Sequence, residues 1–162
     1  MSHEVQLVVQ APSISSTEGI LHDVAQLLGA SVANDEDGSR NVHRDGLLVY
    51  VVEPDEEDSR TIRQLFGLNN TLTLILTDLS QGDNDMMTRV QRNIIRLTLM
   101  LAHTDGSHGV LAEDLNPYDL VLEFHDGEVT LNQDWEGWKT WPEVLDVVPA
   151  PQRMESFRKR AR

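Results

Sequence analysis

The sequence predicts an α+β fold in which a mostly antiparallel sheet of about five to six strands carries two main helices packed on one face. Short apolar segments of strand length alternate with two longer stretches that have a helical period. An Asp126-Gly127 pair in the last third is a strong hairpin signal. Only one or two strand–helix–strand units occur, which argues against a doubly wound parallel sheet.

The first third of the chain predicts a strand, a helix and a second strand. Residues 4–10 are rich in Val and predict a strand. Residues 15–17 (Ser-Ser-Thr) supply N-cap candidates for a helix of roughly 12 residues, which Gly29 can end. The polar stretch 34–45 predicts a loop or hairpin edge. The apolar run 46–52 predicts a strand buried on both faces.

The middle of the chain contains the clearest strand and the longest helix. Residues 55–58 form an acidic run that predicts a solvated loop, and residues 59–68 predict a short helix or an irregular segment. Residues 71–79 alternate Leu with Thr and predict a strand. Residues 83–103 carry apolar side chains at steps of three and four, which predicts a helix that ends by Gly106.

The last third predicts hairpins followed by a covering segment. Residues 109–113 and 118–124 predict two strands, and residues 128–131 predict the strand that returns after the Asp-Gly turn. The three tryptophans and the apolar residues that follow them, over 135–147, predict a loop and a short helix that close over the sheet. A single domain over residues 1–150 accounts for all of these elements.

The charge is strongly acidic and uneven. The chain has 27 Asp and Glu against 13 Lys and Arg, a net charge of −14. The end of the chain is basic, and residues 151–162 predict a flexible tail that could instead fold back onto the acidic body. An acidic body repels phosphate backbones and speeds the capture of a basic protein. The predicted partner is therefore a basic protein, with no nucleic acid bound; the plainer interpretation of the charge is solubility.

Motifs of catalysis and ligand binding are missing from the sequence. The chain has no cysteine, no GxxxxGK[ST] or GxGxxG phosphate loop and no GxSxG nucleophile elbow. The spacing of its six histidines matches no metal-binding motif. We therefore predict no catalytic residue, no metal and no cofactor. The lack of a signal peptide or a long apolar span predicts a cytoplasmic protein with no membrane contact.

Two segments are the candidates for partner binding. The acidic run would present a negative patch, and the tryptophan segment combines aromatic with acidic side chains. The rings of Trp135, Trp138 and Trp141 could either cover the open edge of the sheet or anchor an interface. The predicted partner-binding residues are Asp55, Glu56, Glu57, Asp58, Asp134, Trp135, Glu136 and Trp138.

The C-terminal half carries a recognisable pattern over residues 71–148. A strand and a long helix precede a strand pair with a D-G-x-x-x-L-N turn and a tryptophan soon after, matched here by Asp126, Gly127, Leu131, Asn132 and Trp135. This pattern resembles the SitI3-type immunity proteins of bacterial contact-dependent toxin exchange. The resemblance implies a non-enzymatic protein that neutralises a co-encoded toxin by direct binding.

Two other function classes remain open from the residues alone. The chain could be an adaptor or structural subunit, for example a homodimer formed through an edge strand or the tryptophan segment. It could also be a small hydrolase that uses Asp119, Glu123 and His125, which share one side of a strand by the period of two.

Overall fold

In the part of the chain that the structure describes, nine strands form one mostly antiparallel sheet. The computed structural model describes residues 3–10, 16–113, 119–149 and 153–160. The elements are, in chain order, β1 His3–Gln10, α1 Thr17–Leu28, β2 Val32–Asn34, β3 Arg40–Arg44, β4 Leu47–Val52, α2 Glu56–Phe66, β5 Leu72–Asp78, α3 Asn84–Ala102, β6 His108–Ala112, β7 Leu120–His125, β8 Glu128–Asn132, α4 Gly137–Thr140, a 3₁₀ helix Pro142–Val147, β9 Arg153–Glu155 and α5 Phe157–Arg160.

The strand order is β2-β3-β4-β5-β1-β6-β7-β8-β9, and every neighbouring pair is antiparallel except the parallel pair β8–β9. The central strand β1 is buried on both faces, because Leu7 and Val8 point to opposite sides and are both fully buried. Leu7 belongs to the main core with α1 and α3. Val8 belongs to a smaller core with Ile62 of α2 and Phe157 of α5. Helices therefore cover both faces.

The α+β class and the antiparallel sheet are confirmed, whereas the predicted count of five to six strands is wrong. The additional strands are β2 and β9, which form the two edges of the sheet, and β3, which lies next to β2. Edge strands are short and polar, since one side of the backbone faces solvent and few side chains enter the core. In β3 only Asn41 and Val42 are buried, so the segment lacks the alternation that reveals a strand in the sequence.

The two main predicted helices, α1 and α3, pack on the same face as expected. The acidic run, predicted as a loop, instead begins helix α2 on the opposite face. Asp55 is its N-cap, and the Asp55 carboxylate accepts a hydrogen bond of 2.8 Å from the backbone N–H of Asp58. Carboxylates favour the first turn of a helix because they face the unpaired N–H groups there.

The C-terminal hairpin follows the predicted turn. Asp126 and Gly127 both have positive φ, 50° and 83°, as a two-residue hairpin loop requires.

The C-terminal segment returns to the sheet, since β9 pairs with β8 and Phe157 is 3% exposed. Residues 153–160 therefore fold back onto the body, which was the alternative to a flexible tail. The domain boundary at residue 150 stays a prediction. Within the described ranges, no helix has the length and apolar character needed to cross a bilayer.

Candidate partner-binding surface

A cleft of roughly 240 Å³ lies where β6 ends, β7 begins and the tryptophan segment crosses the sheet. Among the described residues, its wall contains four carboxylates and one guanidinium: those of Glu113, Asp119, Asp134, Glu136 and Arg158. We call this feature the acidic cleft. The excess of negative charge makes it suited to a cationic side chain of a partner.

Backbone pairing brings the first two carboxylates of the acidic cleft together. The N–H of Glu113 donates a 3.2 Å hydrogen bond to the carbonyl of Asp119, which closes the end of the β6–β7 pair. The Nε1 of Trp135 donates to the Glu113 carboxylate at 3.0 Å and orients it. Both acidic side chains remain exposed, so neither carboxylate has lost its access to an incoming group.

Asp134 ties the cleft to the C-terminal segment. Its carboxylate accepts a 2.6 Å hydrogen bond from the Ser156 hydroxyl and a 3.3 Å hydrogen bond from the backbone N–H of Arg158. The Ser156 hydrogen bond, helped by the nearby charges of Arg158 and Lys159, holds the pKa of Asp134 below its ordinary value. The remaining carboxylates of the cleft, on Glu113, Asp119 and Glu136, are the more exposed ones.

The tryptophans divide between core and surface. Trp135 and Trp138 are 9% and 6% exposed, and their rings meet edge to face with centroids 4.6 Å apart. The Nε1 of Trp138 donates to the carbonyl of Asn132 at 2.7 Å. These two rings therefore cover the sheet, which was one of the two interpretations of the sequence. Trp141 is only half-buried and lines the acidic cleft.

Asn132 holds the floor of the cleft in place. It is 1% exposed, and its amide donates to the carbonyl of Leu120 at 2.7 Å. Its side-chain oxygen accepts hydrogen bonds from the backbone N–H groups of Asp134 and Phe157 at 3.1 and 3.2 Å. One buried amide thus joins β7, the tryptophan segment and the C-terminal helix, and the positions of the cleft carboxylates depend on it.

The predicted partner-binding residues fall into two separate groups. Asp134, Trp135 and Glu136 line the acidic cleft. Trp138 follows them closely in the sequence, but its side chain is buried and is not among the described residues that line the cleft. The others, Asp55, Glu56, Glu57 and Asp58, are exposed at the start of α2, and none of them is among the described residues that line the cleft. Their contact with a partner stays a prediction.

The predicted partner-binding residues did not include Glu113, Trp141 or Arg158 of the cleft, although Trp141 was one of the three tryptophans that could anchor an interface. Their convergence arises from pairing between distant parts of the chain, which no local pattern reveals. Asp119 was considered only as part of a hydrolase triad. It lies at one end of β7 and His125 at the other, about 20 Å apart at the usual rise per residue of a strand. Those two residues therefore do not converge.

A larger cavity, of roughly 490 Å³, lies between α3 and β8. Among the described residues, its wall includes the apolar side chains of Leu99 and Val148 together with His103, Glu128 and Arg153. One carboxylate and one guanidinium balance each other there, so the cavity lacks the one-sided charge of the acidic cleft. We therefore base the partner-binding surface on the smaller site.

Comparison with known proteins agrees with the resemblance seen in the sequence. A family model described as SitI3-like matches residues 11–142, which include the carboxylates of the acidic cleft but not Arg158. The match also extends far to the N-terminal side of the segment on which the resemblance rested. No curated protein and no solved structure gives a significant match. The chain therefore belongs to the SitI3-like family, in agreement with its resemblance to SitI3-type immunity proteins.

Proposed function

We propose that the chain neutralises a cognate bacterial toxin by direct protein–protein contact, and that the acidic cleft receives a Lys or Arg side chain of that toxin. The observation that carries this proposal is the convergence of four carboxylates in one concave site of a SitI3-like chain with a net charge of −14. The action proposed is binding rather than catalysis. A cytoplasmic location stays a prediction.

The dimensions and chemistry of the cleft suit one cationic side chain. Exposed carboxylates on Glu113, Asp119 and Glu136 can accept hydrogen bonds from a guanidinium or ammonium group. The partly exposed ring of Trp141 offers an aromatic face to the same cation. A hydrogen bond to a charged group contributes about 1.5–3 kcal/mol, so the loss of two carboxylates should weaken binding at least tenfold.

The net charge gives the proposal a kinetic consequence. Long-range attraction between an acidic protein and a basic partner raises the association rate and is screened by salt. The exposed carboxylates at the start of α2 contribute to this attraction without needing to touch the toxin. Charge near the interface acts mainly on association, whereas direct contacts act mainly on dissociation.

The test is a comparison of two variants with the same change in net charge. The cleft variant carries Asp119→Asn and Glu136→Gln, and the control variant carries Asp23→Asn and Glu36→Gln, two exposed residues that are neither in the cleft nor predicted to bind the partner. The toxin encoded beside the gene is co-expressed with each variant, and cell survival and binding kinetics are measured. We expect the cleft variant to lose protection and to dissociate faster, while the control variant protects cells and shows only slower association.

Two results would contradict the proposal. If the cleft variant binds and protects like the control variant, the acidic cleft is not the contact site. If the unaltered chain neither binds the neighbouring toxin nor protects cells from it, toxin neutralisation itself is refuted. Far-ultraviolet circular dichroism of each variant confirms that the fold is retained.

A further inference from the structure

Two histidines face each other across neighbouring strands at the end of the sheet away from the acidic cleft. His108 of β6 is the register partner of His125 of β7. Their ring centroids are 4.2 Å apart and the ring planes are inclined by 49°. One Nδ1 donates a hydrogen bond to the other. Side chains that are directly opposite in an antiparallel pair are close enough to bind one ion together.

A carboxylate completes the group from the adjoining turn. Asp126 follows His125 directly and has a positive φ of 50°. Its backbone N–H donates to the carbonyl of Ser107 at 2.9 Å, which fixes the turn against the residue before His108. The two carboxylate oxygens of Asp126 lie 3.7 Å from the Nε2 of His108 and 3.6 Å from the Nε2 of His125.

These distances match those between ligands that share a metal ion. Zinc binds imidazole nitrogen and carboxylate oxygen at about 2.0–2.2 Å, so neighbouring ligand atoms of a tetrahedral site are about 3.4 Å apart. The ligand atoms offered by His108, His125 and Asp126 all lie within 4.8 Å of one another. The two measured distances between Asp126 and the imidazoles exceed this spacing by about 0.2–0.3 Å, and a turn of one imidazole ring would bring the group closer to tetrahedral spacing.

We propose that His108, His125 and Asp126 form a surface site for a divalent transition metal ion of the zinc, nickel and copper group. Imidazole ligands favour these ions over magnesium and calcium, which prefer sites made of oxygen alone. Three protein ligands leave one position open, and the site faces solvent, since the side chains of His125 and Asp126 are 74% and 59% exposed.

Binding requires one local rearrangement. Both rings must carry their proton on Nδ1 so that both Nε2 atoms are free to bind the ion, and this ends the hydrogen bond between the Nδ1 atoms. The exposed ring of His125 can turn to relieve that contact, whereas His108, with 25% of its side chain exposed, stays fixed against the sheet. Protonation of either imidazole competes with the metal.

The site is tested on tag-free protein with zinc chloride and nickel chloride as the probes. Isothermal titration calorimetry measures affinity and stoichiometry, and nitrogen-15 spectra of the histidine rings report which Nε2 atoms bind. The variants are His125→Ala and Asp126→Asn, the latter because Asn also tolerates positive φ. The control is His22→Ala, which removes another exposed histidine, one that lies 3.4 Å from Glu18.

We expect one ion per chain, ring shifts at both His108 and His125, and at least about a tenfold loss of affinity in His125→Ala and Asp126→Asn. The His22→Ala variant should bind like the unaltered chain. The proposal is overturned if the unaltered chain binds neither ion, or if His125→Ala binds as tightly as His22→Ala. These measurements need no toxin, so their result is independent of the proposed function.

Discussion

Replacing Trp138 by alanine separates a core role from a contact role for the tryptophan segment. The side chain is 6% exposed, packs edge to face on Trp135 and donates its Nε1–H to the carbonyl of Asn132. Truncation of a buried tryptophan costs about 3–5 kcal/mol through lost burial and the cavity that it leaves. The carbonyl of Asn132 also loses a partner. We therefore expect Trp138→Ala to lower the free energy of unfolding by about 3–5 kcal/mol.

Such a loss is a large part of the total stability of a domain, which is about 5–15 kcal/mol. For a chain of this length it corresponds to a fall in melting temperature of about 6–20 °C. Urea unfolding followed by far-ultraviolet circular dichroism measures the change, since this signal does not depend on the indole removed. Trp138→Phe is the matched control, and we expect it to cost less because an aromatic ring still fills the space.

The opposite result would refute this assignment. The free energy of unfolding of Trp138→Ala could lie within about 1 kcal/mol of that of the unaltered chain while toxin binding is lost. In that case the ring is a contact residue and is not part of the core. Trp141→Ala provides the complementary measurement. Because Trp141 is only half-buried in the acidic cleft, we expect a smaller loss of stability together with weaker toxin binding.

Three further changes test other parts of the structure. Gly109→Ala would place its Cβ 2.4 Å from the backbone oxygen of Val8 and 2.3 Å from the ring of Phe124, so we expect a loss of at least about 1–3 kcal/mol in urea unfolding. Asn132→Ala removes three hydrogen bonds of a buried amide and should cost about 3 kcal/mol, whereas the exposed control Gln133→Ala should cost little. The pKa of Asp134 is lowered in the folded chain, so its contribution to stability is present at neutral pH and is lost as the pH falls below its ordinary value of 3.8. A carboxyl titration by nuclear magnetic resonance should therefore show a higher pKa for Asp134 in Ser156→Ala; an unchanged value would rule out that hydrogen bond as the cause.

Local patterns in the sequence were enough to predict the elements that build the core. The alternation in residues 71–79 predicts β5, and Ser16 and Gly29 cap α1 as their residue types suggest. The start of α2 was missed, because four consecutive acidic residues are as typical of a solvated loop as of a capped first turn. The hydrogen bond from the backbone N–H of Asp58 to the Asp55 carboxylate shows that these residues form the capped first turn of a helix.

Sites formed between strands could not be predicted in the same way. The pairing of His108 with His125, and of Glu113 with Asp119, depends on the register of β6 against β7. The register of two strands can be predicted from the sequence only where a very short turn joins them, as Asp126-Gly127 joins β7 and β8. The β6–β7 pair also contains a register shift near Ala112, which breaks the period of two assumed for the hydrolase alternative.

The residues that carry the family resemblance have identifiable structural roles. Asp126 and Gly127 form the hairpin turn, Leu131 is fully buried, Asn132 joins three segments and Trp135 covers the sheet. Such a pattern identifies the fold. The choice of toxin is therefore expected to depend on the exposed carboxylates around that framework, such as those of Asp119 and Glu136.

The central place of β1 has a consequence for how the chain is made. Leu7 pairs with Leu74 on one side and with Leu111 on the other, so both neighbours of this strand are synthesised long after it. In a nascent chain both edges of this apolar strand are therefore open until β5 leaves the ribosome, and one edge stays open until β6 follows. Contacts between such distant residues slow folding and expose the segment to association with other chains. Chaperone demand during translation should accordingly depend on residues 3–10 more than on any part of the acidic surface.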